Sequence, residues 1–276
     1  MKPHVAILAA LSLAATACSH AGSDERAFEW TGELPAGSTV HLRNGSGEIQ
    51  VRPASGQSVV VNGSRRWQHG RRSDVQFVVT HTGNDYFVCA MWRNSGNCGA
   101  KGYRGKSTGG LLSMFSLFHR SSDATAGLIA DVPANVVVDA KTSNGSVKVD
   151  GVTAGVTAHT ANGNVEATNV AGPLSLETSN GNVRLSADAV SAADPITLTT
   201  TNGNISAQLP ANTEGNFDLS VVNGSVRSDF PLTQLAKGKI GRHLQGQIGS
   251  SNRVVKMRSV NGTVFVTTRP ASASHE

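Results

Sequence analysis

The chain has 276 residues, 38% of them hydrophobic and only 5% aromatic, with 30 Gly and a formal net charge of +5. That length allows one large or two modest domains, and so few aromatics suit a thin core of Val, Leu, Ala and Thr better than a thick one. The small positive excess permits an anionic partner but gives no ground for nucleic-acid binding.

Residues 1–17 carry Lys2 and then the apolar run Val5 to Ala15, ahead of Cys18. This reads as an export signal peptide, too short for a stable membrane span. Ala15-Thr16-Ala17 fits plain Ala-x-Ala cleavage; the same small residues before Cys18 also fit a lipobox, with Leu13 displaced upstream of the usual Leu. The cysteine count favours the lipoprotein: 3 Cys leave one odd in an exported protein, and acylating Cys18 leaves Cys89 and Cys98 to pair. Ser19 after the lipidated Cys then points to the outer membrane, whereas plain cleavage leaves the protein in the periplasm. Residues 18–27 read as a tether, with folding expected from Phe28.

Residues 28–128 are expected to form an amino-terminal cap. Val40 and Leu42 precede Asn44-Gly45, but Gly47 stands where a Val is expected, with Ile49 and Val51 beyond it. An atypical terminal copy is what capping of a repeat array predicts. Gln57 to Val61, Val75 to Thr80 and Tyr86 to Met91 continue as strands. Cys89 and Cys98 enclose a turn-rich loop, and an oxidising compartment predicts a disulfide there. With 8 residues between them and no neighbouring His or third thiol, a metal site does not fit. Gly99 to Gly127 is the least repeat-like stretch, holding Lys101, Arg104 and Lys106 and then the apolar Leu111 to Phe118. It reads either as a protruding loop that touches membrane, polysaccharide or protein, or as a short amphipathic helix covering an open sheet end.

From 129 to 268 one motif recurs, at Asn144-Gly145, Asn162-Gly163, Asn180-Gly181, Asn202-Gly203, Asn223-Gly224 and Asn261-Gly262, with steps of 18, 18, 22, 21 and 38 residues. A fixed period near twenty signals an array. Six, four and two residues before each Asn the chain is apolar or small, as in Val138, Ala140 and Thr142 or Ile196, Leu198 and Thr200. Three residues after it stand Val147, Val165, Val183, Ile205, Val226 and Val264. Alternation on both sides of a tight Asn-Gly bend means two half-buried strands. An antiparallel β-meander or sandwich would satisfy this, and so would a β-solenoid, a flattened β-helix with coils of about 18–22 residues and Asn-Gly corners. Recurrence of like residues at like offsets favours the solenoid, in which equivalent Asn side chains stack. The insertion Pro231 to Gly249 accounts for the longest step, and the polar tail, 269–276, is expected to be disordered.

No catalytic constellation, cofactor motif or metal-ligand spacing emerges. Glu166 and Glu177, near Arg184, form the one cluster that could serve a β-helix polysaccharide-active enzyme. Between Arg227 and Arg269 basic residues far outnumber the single Asp229, which allows a face for anionic glycan or lipid.

Val88-Cys-Ala-Met-Trp92, Asn97-Cys98, Asp131-Val-Pro-Ala-Asn135, the serial Asn-Gly-x-Val units and Gly246-Gln-Ile-Gly249 together resemble the bacterial putative-adhesin family, β-strand-repeat domains of unknown function. The resemblance covers about residues 28 to 268. It implies an exported, often lipid-anchored β-solenoid, and with no catalytic constellation among its residues the chain is expected to be a non-catalytic surface-interaction module of the cell envelope. The expected partners are the membrane, through Cys18, and an envelope glycan or protein.

Overall fold

The computed structural model describes residues 22–68, 72–92, 97–99, 123–187, 189–191, 193–234 and 241–269. The leader, Cys18, the apolar insert Leu111 to Phe118 and the tail beyond Arg269 lie outside the described residues. The strands are β1 (Gly22–Glu33), β2 (Thr39–Ser46), β3 (Ile49–Pro53), β4 (Ser58–Trp67), β5 (Val75–Thr82), β6 (Asp85–Trp92), β7 (Thr125–Val132), β8 (Val137–Asn144), β9 (Val147–Asp150), β10 (Val156–Asn162), β11 (Val165–Val170), β12 (Leu174–Asn180), β13 (Val183–Ala187), β14 (Ile196–Asn202), β15 (Ile205–Pro210), β16 (Gly215–Ser228), β17 (Thr233–Gln234), β18 (Arg242–Ile248) and β19 (Val254–Arg269).

The pairing of these strands is that of a β-solenoid. β8, β10, β12 and β14 run parallel in a first sheet, while β9, β11, β13 and β15 run parallel in a second. Like residues lie side by side: Val138, Val156, Leu174 and Ile196 in one row, Asn144, Asn162, Asn180 and Asn202 in another. The meander alternative is excluded by this parallel register. Alternate side chains of both sheets enter one core, so Val138 and Ala140 meet the column Val147, Val165, Val183 and Ile205. Each fully buried Leu, Ile or Val contributes roughly 1.5–3 kcal/mol. A column of aliphatics through every layer is therefore what holds so thin a body together.

The order of layers departs from the order of the chain at both ends. β19 pairs in parallel with β14 and β15 on one side and with β16 on the other. The last repeat in sequence thus lies between the two that precede it. The insertion 231–249 makes this possible, because β18 turns back antiparallel against β16 and delivers the chain one layer inward. At the other end β2 and β3 lie between β8 and β9 on one side and β6 and β7 on the other, all parallel. The stack therefore extends into the region read as a cap. Antiparallel strands close the ends: β5 on β6, β4 on β7 with β1 beyond, and β18 with β17 on β16.

Two sequence expectations need correction. The tether was expected to run to residue 27, yet β1 starts at Gly22 and pairs with Trp67 of β4. Edge pairing of this kind uses backbone groups, which a polar sequence supplies as well as an apolar one. Asn44-Gly45 is not a repeat corner either. Ser46 stands opposite Asn144, Ile49 opposite Val147, and Gly47 takes the positive φ of 127°. Moving the corner two residues keeps Val40, Leu42, Ile49 and Val51 pointing inward, since parity survives an even shift. Asn44 then falls in the buried row, where its amide donates to the Ala126 carbonyl at 2.7 Å.

The interleaving has a direct test. Thr201 and Val260 are neighbours across β14 and β19, whereas Thr201 and Val222 are two strands apart. Cysteines at 201 and 260, ~5 Å apart on adjacent strands, are expected to cross-link under mild oxidation, and cysteines at 201 and 222, ~10 Å apart, are not. The reverse pattern would restore chain order to the layers.

Candidate functional site

With the interior filled by aliphatic columns, the chemistry of the chain sits on its corners and outer faces. At the corner, Asn side chains form one continuous ladder. The amide of Asn162 donates to the Oδ1 of Asn144 at 2.9 Å, Asn180 to Asn162 at 3.0 Å, Asn202 to Asn180 at 2.8 Å, Asn261 to Asn202 at 2.7 Å and Asn223 to Asn261 at 2.8 Å. The six Asn-Gly units read from the sequence are thus brought into one line, in layer order. Beside them runs a second ladder that sequence reading missed. The Oδ1 atoms of Asn164, Asn182 and Asn204 accept the backbone N–H of Asn182, Asn204 and Thr263 at 2.8, 2.9 and 2.8 Å. Its signal was present, as Ser146, Asn164, Asn182, Asn204, Ser225 and Thr263 recur two residues after each ladder Asn. A third row is buried: Thr142, Thr160, Thr178, Thr200 and Ser259 each donate a hydroxyl to the corner Gly carbonyl of the neighbouring layer at 2.8–3.1 Å. These rows satisfy polar groups at the bends and are structural.

The carboxylates named as a candidate catalytic pair do not converge. Glu166 lies on β11 between Lys148 and Arg184 in the second sheet. Glu177 lies on β12 in the first sheet, with its carboxylate 3.5 Å from His159. The inward neighbours of both are in one core, so the two carboxyl groups face outward on opposite sides of it.

Two groupings on the first sheet were not anticipated. Near the amino-terminal end, Arg43 and Asp139 form an ion pair at 2.5 Å, with His41 Nδ1 2.8 Å from the same carboxylate and Lys141 Nζ 3.5 Å away. The His41 ring stacks on Phe87 at 4.2 Å. Burial alone would push the Asp139 carboxyl above its usual range, but the hydrogen bonds from His41 and Arg43 and the charges of Arg43 and Lys141 outweigh it and hold the carboxyl well below that range. Phe87, Cys89 and Met91 lie beside this cluster, covered by Val78 and Cys98. Cys89 and Cys98 form the expected disulfide, with Cα atoms 5.9 Å apart. It pins residues 97–99 over strands β5 and β6.

The second grouping lies at the carboxy-terminal end, where β18 joins β16. Asn216 and Asp218 stand opposite Gln247 and Gln245, and Val254 borders Asn216 on β19. His243 Nε2 is 2.6 Å from Asp218 Oδ1. A concavity of about 570 Å³ is lined by Asn216, Asp218, Gln245, Gln247, Val254 and Thr233, together with Phe217 and Gly246. A comparable groove of about 420 Å³ at the other end, beside Gly47 and Arg65, has Arg65 committed to Asp24 at 3.2 Å and to the Val75 carbonyl at 2.9 Å. Lys237 and Lys239 of the expected carboxy-terminal basic face lie outside the described residues, and the described ones are spread over different faces. Lys256 and Arg258 are on the outer face of the first sheet, Arg227 is on the second, and Arg253 is buried, donating to the carbonyls of Val190 and Ser191. Among the described residues no group of three or more His, Cys, Asp or Glu is arranged to hold a metal ion.

The family model described as Toastrack DUF4097 matches residues 95–267. Two solved structures also match over most of the chain. One, described as a "putative cell adhesion protein" from Clostridium sporogenes, has a TM-score of 0.43 and 10% identity, covering 88% of this chain and 99% of that one. The other, a "putative adhesin" from Bacteroides fragilis, has a TM-score of 0.33 and 12% identity, covering 88% and 96%. No curated protein matches the chain.

Proposed function

The chain belongs to the Toastrack DUF4097 family, whose function is unknown, and from that premise we propose that it is a non-catalytic interaction module of the cell envelope, exported and held at the membrane by a lipid on Cys18. The observation that carries this reading is the closed aliphatic core. Among the described residues one continuous buried cluster runs from Leu34 to Val266, which supports a ligand or partner being met on the outer faces. A disulfide between Cys89 and Cys98 is at home in an oxidising compartment, which supports export. The leader before Cys18 supports delivery to the outer membrane, with the periplasm as the location if cleavage leaves no lipid. An envelope glycan or another envelope protein is the partner class, and the separation of Glu166 from Glu177 counts against the polysaccharide-active enzyme.

Location decides which partners are within reach, so cell fractionation with palmitate labelling is the informative experiment. The wild type is expected to label and to sediment with outer membranes, and Cys18→Ala is expected to do neither. Equal labelling of both proteins, or recovery of the wild type in the cytosol, would end this reading.

A further inference from the structure

We propose that the concave patch where β18 joins β16 is a binding site for a neutral saccharide. The proposal rests on the interaction-module reading and gives one surface of it a ligand class. Asn216 and Asp218 point outward, because Phe217 and Leu219, which alternate with them on β16, enter the core, and Gln247 and Gln245 stand opposite them on β18 and share that face. Opposed side chains on an antiparallel pair are ~5 Å apart, and successive outward residues along a strand are ~7 Å apart. The four planar groups therefore stand at the corners of a rectangle about the size of one sugar ring. Each carboxamide offers a donor and an acceptor in one plane, and a carboxylate accepts from two hydroxyls at once. That is the pattern vicinal sugar hydroxyls require.

Part of the patch is held ready. His243 fixes Asp218, and Gln247 Nε2 donates to the carbonyls of Gly249 and Ser251 at 3.3 and 2.8 Å, which leaves its Oε1 free in orientation to accept from a ligand. Val254, 47% exposed, supplies an apolar surface beside Asn216 for the C–H face of a ring. Charge selects against an acidic sugar. Asp218 sets a carboxylate at one corner of the patch, and among the described residues of β16 and β18 that form it none is a Lys or Arg on that row; Lys256 stands opposite Asp218 in register on β19. Stacking does not account for Gln245 and Gln247 either. On the central layers outward side chains face their own counterparts in the next coil, but β18 belongs to the insertion and has no counterpart to match.

The test uses full-length protein carrying Cys18→Ala, titrated calorimetrically with chitotetraose, cellotetraose and maltotetraose. At least one is expected to bind at millimolar or lower concentration, with little dependence on salt. Gln245→Ala and Asp218→Ala are each expected to weaken it about tenfold. Gln208→Ala, on the outer face of the second sheet, is expected to leave it unchanged. Failure of all three sugars, or affinity indifferent to Gln245→Ala, overturns the proposal, as does salt-sensitive preference for polygalacturonate over them. If the sugars fail while the lipid-anchored wild type still fractionates with outer membranes, the site is lost and the envelope reading stands.

Discussion

Gly181→Ala is expected to cost the protein about 4 kcal/mol or more, among the largest effects a single methyl group can have. Gly181 sits at a corner with φ of +152°, and a Cβ built there would lie 2.0 Å from the Gly163 carbonyl oxygen of the preceding layer. Two costs add. A side chain in that region of backbone space costs roughly 1–3 kcal/mol by itself, and the overlap has to be relieved by moving one layer off another. Movement is opposed from both sides, since the Gly181 N–H donates to Asn202 at 2.9 Å while the Thr178 hydroxyl donates to Gly163 at 2.8 Å. Gly56→Ala is the control, as its added Cβ meets nothing within 4 Å. Urea unfolding of the two variants should separate them widely. A Gly181→Ala protein within ~1 kcal/mol of wild type would mean that the corners do not stack carbonyl on glycine.

The same corners explain how much of this fold is legible in a single sequence. A central coil repeats its neighbour position by position, so the inward alternation around Asn162 or Asn180 states the strands, the bend and the partner at once. The ends carry no such redundancy. Nothing local distinguishes a last repeat that adds to the stack from one that slips inside it, as β19 does between β14 and β16, because the choice depends on where the hairpin of β16 and β18 points. Asn44-Gly45 misled for a related reason: the dipeptide is a strong turn signal, but the even displacement to Ser46-Gly47 leaves every inward residue unchanged, and the aliphatic pattern decides the register. Of the surface chemistry, Glu166 and Glu177 looked adjacent because they are one coil apart, and a coil divides its residues between two sheets. The cluster of His41, Arg43 and Asp139 could not be foreseen, since residues 98 apart were assigned to different regions and meet only because β2 lies on β8.

That cluster gives the second large effect. Asp139→Asn is expected to destabilise the protein by about 3 kcal/mol at neutral pH, because it takes the opposite charge from a guanidinium whose side chain is only 4% exposed. The acid dependence follows from the direction of the shift. Asp139 in the folded protein is held below its ordinary value of 3.8, so above that value both folded and unfolded chains carry the carboxylate and the contribution is complete. As the pH falls below 3.8 the unfolded chain takes up a proton first, and the contribution fades until the folded carboxyl is protonated as well. Wild type should therefore lose stability on acidification faster than Asp139→Asn, and the gap between their unfolding free energies should narrow below about pH 4. Gly47, Arg43 and Asp139 all belong to layers made by β2, β3 and β8, so hydrogen exchange should place the early opening of the acidified protein in those strands. Parallel curves for the two proteins across the acid range would mean that the ion pair is formed at the surface and adds little, and the joint between the amino-terminal layers and the regular coils would then have to be held by the aliphatic column alone.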